Sequence, residues 1–173
     1  MRPTAREYAA HFDRYISLVT ESDVLAVLNA QASTVHDALS ALSDARAAHR
    51  YAEGKWSVRQ LLGHLVDCER VFGFRALAIA RGEAYSLAAF DEDAYAVAAA
   101  HDSVPIDELA EEFATLRRSH VLMFKHLDAA SWARVGTVNN TPTSVRAVAF
   151  IMAGHVRHHA RILTDRYGVA LRA

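Results

Sequence analysis

The chain has 173 residues, enough for one domain with a real core, and is 52% hydrophobic and 23% charged, an ordinary soluble composition. Its net charge is −1 and no basic stripe stands out, which argues against a nucleic-acid binder. The single Cys68 excludes an internal disulfide, and no apolar run approaches the ~20 residues that span a membrane. The N-terminal stretch carries charges throughout and lacks the apolar segment of a secretory signal, so a cytoplasmic protein is expected.

The elements read as helices. Residues 23–42 place Val24, Leu25, Leu28, Val35, Leu39 and Leu42 at mostly helical spacing, with Ser22 as the expected N-cap. "RYAEGKW" breaks the pattern at Gly54. Ser57 and Gln60 form a Ser-x-x-Gln capping box that opens a second helix, expected to run to about Arg81 and end at Gly82. "GEAYSLAAFDEDAYAVAA" is expected to be a loop with short helical pieces. A third helix starts near Pro105 and continues to about Leu127. "DAASWARVGTVNNTP" is expected to be a loop, because it shows no convincing alternation and no hairpin dipeptide. Thr143 or Ser144 then caps a fourth helix that stops at Gly168. Four amphipathic helices of about 20 residues bury their stripes against one another, so the expected fold is all-α, a single four-helix bundle over residues 1–173.

The chemistry concentrates in "GHVRHHARIL", residues 154–163. On a helix, positions i and i+4 lie about 40° apart on one face. His155 and His159 fall inside the apolar stripe of Val148, Met152, Ile162 and Leu163, whereas His158 falls toward its edge and is expected to face away. Two imidazoles one turn apart can hold one metal ion, or can be hydrogen-bonded core residues. "HVRHH" lacks the glutamate of HExxH, so a zincin is excluded. On the second helix, His64 lies beside the inward stripe of Leu61, Leu65, Cys68 and Phe72. A buried imidazole needs a partner, and a metal shared with the fourth helix would supply one. Asp67 could orient an imidazole or reach the metal, or could pair with Arg70 or a neighbouring helix. Cys68 reads as a buried thiol before it reads as a ligand.

Three stretches carry a resemblance: "YAEGKWSVRQLLGHLVDCERVFGFRALAIARGE", "FDEDAY" and "VRAVAFIMAGHVRHHARILTDRY". Together they resemble the DinB/YfiT-like superfamily along nearly the whole chain. The resemblance implies an up-down-down-up bundle, often a homodimer, with a divalent metal, nickel or zinc, held by His64, His155 and His159. It implies a metalloenzyme that activates a low-molecular-weight thiol for transfer or isomerisation. The alternatives are a metal-dependent hydrolase acting through water and a non-catalytic metal-binding stress-response protein. The expected partner is a small molecule, with no nucleic acid and no membrane. Arg75 and Arg157 are the candidates to meet a thiol cofactor's carboxylates, although a plain surface role is preferred for each. Asp67, His120 and His158 are the candidates for acid or base. Asp91 and Asp93 sit in a loop that could cover the site, with Asp91 equally suited to a helix cap. Trp56 is expected to pack at the start of the second helix or to wall a pocket.

Overall fold

The computed structural model describes residues 2–173. Four long helices, α2 (Val24–Ser40), α4 (Val58–Ala80), α6 (Ile106–Lys125) and α8 (Val145–Tyr167), build the body. Shorter helices lie between them or precede them: α1 (Asp13–Ile16), α3 (Asp44–Ala47), α5 (Glu92–Ala98) and α7 (Ala129–Ala133). Local chemistry sets the boundaries. The Ser57 side chain accepts from Gln60 N, and the Gln60 side chain accepts from Ser57 N, closing the expected capping box. Ser144 caps α8, and Gly168, at φ 62°, ends it in the left-handed conformation that glycine adopts without strain. The cap of α2 is Asp23, one residue beyond the expected Ser22, because the Asp23 carboxylate accepts from Ala26 N.

The order of the bundle follows from its two apolar clusters. One joins the start of α2 (Val24, Val27, Leu28), the end of α4 (Ile79, Ala80), the end of α6 (Val121, Phe124) and the start of α8 (Val145, Val148). The other joins the end of α2 (Val35, Leu39), the start of α4 (Leu61, Leu62), the start of α6 (Ile106, Leu109) and the end of α8 (Leu163, Tyr167). The helices therefore run up, down, down, up, with α2 and α4 each packed between α6 and α8. Truncating a fully buried leucine such as Leu62 to alanine would cost about 2–5 kcal/mol. Parallel α4 and α6 require a connection the length of the bundle, and residues 81–105 supply it.

The expectation of a plain loop over "DAASWARVGTVNNTP" is overturned: the stretch opens with α7 and continues into a hairpin. Strands β1 (Val135–Val138) and β2 (Thr141–Ser144) form an antiparallel hairpin with Val135 opposite Ser144 and Val138 opposite Thr141. The turn is Asn139-Asn140, at φ 47° and 57°, the left-handed pair that a two-residue hairpin demands and that asparagine tolerates. The alternation is hidden because Val135 is half exposed and Gly136 and Pro142 interrupt the pattern. Leu87 hooks the crossover to this hairpin: its N–H donates to Thr137 O and its carbonyl accepts from Asn139 N, both at 2.8 Å. That hook fixes the chain leading to α5.

Candidate metal centre

His155 and His159 lie one turn apart on α8, and His64 faces them from antiparallel α4. The Nε2 of His155 is 3.1 Å from Nε2 of His64 and 3.0 Å from Nε2 of His159. All three residues are buried, and the three ring nitrogens lie within 4.8 Å of one another. Two nitrogens each about 2.0–2.1 Å from a shared zinc ion would be about 2.9 Å apart at a right angle and about 3.4 Å apart at the tetrahedral angle. The two short spacings fall in that interval. Hydrogen bonding alone cannot satisfy the trio, because His155 Nε2 carries either one lone pair or one proton and faces two neighbours. A cation at the point of convergence satisfies all three lone pairs, so the donor set fits a divalent ion.

Burial holds the His64 imidazole down to about 4, with the Asp67 carboxylate opposing that shift. Burial, with the neighbouring histidines, holds His155 and His159 well below the ordinary value. At neutral pH all three are uncharged. Aromatic rings fix their planes: Trp56 lies 5.0 Å from His64, and Tyr15 and Phe72 present edges to His155 at 5.2 and 5.8 Å. Nδ1 of His159 is buried with no hydrogen-bond partner, although a ligating imidazole ordinarily donates from its second nitrogen; nothing in the structure explains this.

The three imidazoles line a cavity of about 410 Å³. Beyond α8, which gives His155, His158 and His159, its walls come from four parts of the chain. The N-terminal segment gives Arg14 and Tyr15, α4 gives Cys68, Phe72 and Arg75, the crossover gives Phe90, Glu92 and Asp93, and the hairpin gives Asn139 and Thr141. The N-terminal segment reaches the site because residue 154 is glycine: a Cβ there would lie 2.0 Å from the Tyr15 carbonyl oxygen. Glu7 anchors the same segment to the start of α8, accepting from Ser144 Oγ and from the Arg146 guanidinium, each at 2.7 Å.

The other sequence candidates divide. Arg75, for which a surface role was preferred, is only 7% exposed and lines the cavity. Arg157 does not line it. Its guanidinium points away to Leu18 O, Glu21 and Ala173 O, fastening both ends of the chain to α8. Asp67 meets neither the imidazoles nor Arg70; it pairs with His101 Nε2 at 3.2 Å, while Arg70 pairs with Glu112. His120 lies on the Glu69 carboxylate at 3.3 Å, away from the cavity. His158 does not face away from the site: it is half-buried against Tyr15 and His159 and lines the cavity. Asp91 caps α5 through Asp93 N and Ala94 N, whereas Asp93 lines the cavity. Cys68 lines it too, 3.7 Å from His64 Nε2, its thiol pushed well up by burial and by the Glu92 and Glu69 carboxylates. Sequence reasoning missed Tyr15, Phe90, Glu92, Asn139 and Thr141, which carry no local signal because only long-range packing brings them here.

Comparison with known proteins agrees with this architecture. The structure of YfiT from Bacillus subtilis, described as a probable metal-dependent hydrolase with an unusual four-helix bundle topology, superposes with a TM-score of 0.75 at 17% identity, covering 98% of this chain and 95% of that one. At that identity the likeness shows the fold. No curated protein matches the sequence. The family model described as DinB superfamily matches residues 28–163, a span that holds all four bundle helices except the ends of α2 and α8. This chain belongs to the DinB superfamily.

Proposed function

We propose that the protein is a divalent-metal-dependent enzyme in which His64, His155 and His159 hold nickel or zinc and the adjoining cavity presents a small thiol for transfer. The observation that carries this reading is the convergence of three buried Nε2 atoms on one point of a cavity wall. Three protein ligands with an accessible side are the pattern of a catalytic centre, since a structural zinc closes its fourth position with protein. A bound divalent ion would supply Lewis acidity and hold a thiol in its deprotonated, nucleophilic form.

The chain's own groups have separate tasks. Trp56, Tyr15 and Phe72 keep the imidazoles oriented and exclude water from their far sides. The Cys68 thiol is held protonated by burial, which leaves it a poor nucleophile and favours a thiol brought in from outside. The Glu92 and Asp93 carboxylates on the cavity wall are placed to take up or deliver a proton. A second reading, metal-assisted hydrolysis, is favoured by the likeness to YfiT, itself described as a probable metal-dependent hydrolase. The same carboxylates would then serve water.

The cobalt-loaded protein separates the two readings. Titration with bacillithiol, mycothiol and glutathione should produce a sulfur-to-metal charge-transfer band that strengthens as pH rises toward the thiol's pKa, and His64→Ala should abolish it. No spectral change with any thiol, together with turnover of an ester or amide, would replace transfer with hydrolysis. A fully loaded site that does neither would favour a metal-binding protein without turnover.

A further inference from the structure

Among the described residues, three arginines are buried: Arg59, Arg75 and Arg117. Arg59 pairs with Asp44, and Arg117 pairs with Glu69. Among the described residues, no carboxylate lies within ion-pair distance of Arg75, although its side chain is the one that lines the cavity. Among the described residues, its only hydrogen bond runs from one terminal nitrogen to Ala88 O, at 2.7 Å. The rings of Phe72 and Phe90 lie 5.9 and 5.6 Å from the guanidinium carbon. Those rings fix the group and exclude water, and they leave most of its five N–H donors without an acceptor. A desolvated cation held this way is costly unless an anion completes it.

Resting on the metal-centred reading of the same cavity, we propose that Arg75 binds a carboxylate of the substrate. The site then takes an elongated small molecule with its reacting group at the imidazoles and its carboxylate at Arg75. Arg75 follows His64 by 11 positions on α4, and the Phe72 ring is shared by the two ends of the site, 5.8 Å from the His155 ring and 5.9 Å from the guanidinium carbon. The span suits a molecule of several bonds. A carboxylate fits better than a phosphate. The guanidinium fork takes two oxygens of either, but Glu92 and Asp93, which line the same cavity, repel a dianion more strongly than a monoanion.

The test uses paired probes that differ only at the far end. Binding of ω-mercaptohexanoate and ω-mercaptohexanol to the zinc-loaded protein would be measured by calorimetry. Binding of hexanoate and hexanol would be followed by the fluorescence of Trp56, with Trp132→Phe removing the second indole. In both pairs the carboxylate should bind about tenfold or more tightly, as expected for charge-assisted hydrogen bonds. Arg75→Gln should bring both ratios to about one. Arg75→Lys, which keeps the charge and loses the fork, should lower them several-fold and serves if the neutral variant does not fold. Equal binding within each pair, or an unchanged ratio in either variant, overturns the assignment. Tighter binding of hexyl phosphate than of hexanoate overturns the choice of carboxylate. The metal reading is judged separately: its failure would show as equal affinity of thiol and non-thiol carboxylates, while the hexanoate-to-hexanol ratio still decides the role of Arg75.

Discussion

His158 and His159 are adjacent in sequence and differ in what their rings meet. His159 Nε2 joins the cluster at 3.0 Å, whereas His158 packs against Tyr15 and the side of His159. Replacing His159 with alanine should remove most of the bound divalent ion, and His158→Ala should retain it; metal analysis of the purified variants reads this directly, and equal loss in both would reassign the ligand set. The same imidazoles set an acid limit for the metal-free protein. Their folded-state values are depressed, so the unfolded chain takes up protons that the folded chain refuses. Stability should therefore be complete above about 6.5 and fall as pH drops through the window toward about 4, where His64 itself protonates. Urea unfolding at stepped pH measures the slope, and a flat profile across that window would show that the rings are not desolvated as described.

Behind the site, one polar network ties the four long helices together. Arg117 on α6 donates to both oxygens of Glu69 on α4 and to Gln31 Oε1 on α2; Gln31 in turn donates to Ala153 O on α8. This anchor lies two residues before His155, so it holds α8 in register with α4. Arg117→Met would leave Glu69 buried with only His120 beside it, a loss of about 3–5 kcal/mol in urea unfolding. Adding Glu69→Leu should recover much of that loss, because the pair is then removed together. Gly154→Ala acts on another contact: its Cβ would displace the Tyr15 backbone, so the N-terminal segment should become protease-sensitive while helix content is kept. The elements themselves were largely legible. The Ser57–Gln60 box, Ser144 and Gly168 are local signals, and each marks its boundary where expected. The hairpin was not legible because its strands are four residues long and its turn is Asn-Asn.

For the molecule as a whole, a ligand that binds only the folded chain raises its stability by mass action. Metal at a hundredfold excess over Kd should add about 2.7 kcal/mol, a rise in Tm of roughly 5–10 °C for a chain of this length. Chelation should reverse the rise and His159→Ala should abolish it, as read by circular dichroism, whose spectrum should be dominated by helix. We also propose a homodimer. Phe74 and Leu77, one turn apart on α4, are 56% and 40% exposed, and a second copy would cover them. Sedimentation at tens of micromolar should show twice the chain mass, and a monomer would remove the dimer from the proposal. Among the described residues, no helix is long and apolar enough to cross a membrane.

Periodicity and capping are properties of short stretches, so the four helices, their limits and the inward faces of His64, His155 and His159 could be read from the chain as a string. The distinction between Arg75 and Arg157 could not. Both are arginines near the histidines in sequence, yet one is enclosed by Phe72 and Phe90 and the other is drawn to Glu21 and two backbone carbonyls. The same holds for Asp67, whose partner His101 reaches it only because Gly63 has no side chain to block the ring. Burial and ion pairing depend on which distant segments arrive at a residue. The crossover, the hairpin and the N-terminal segment converge on this cavity through packing that no local pattern encodes.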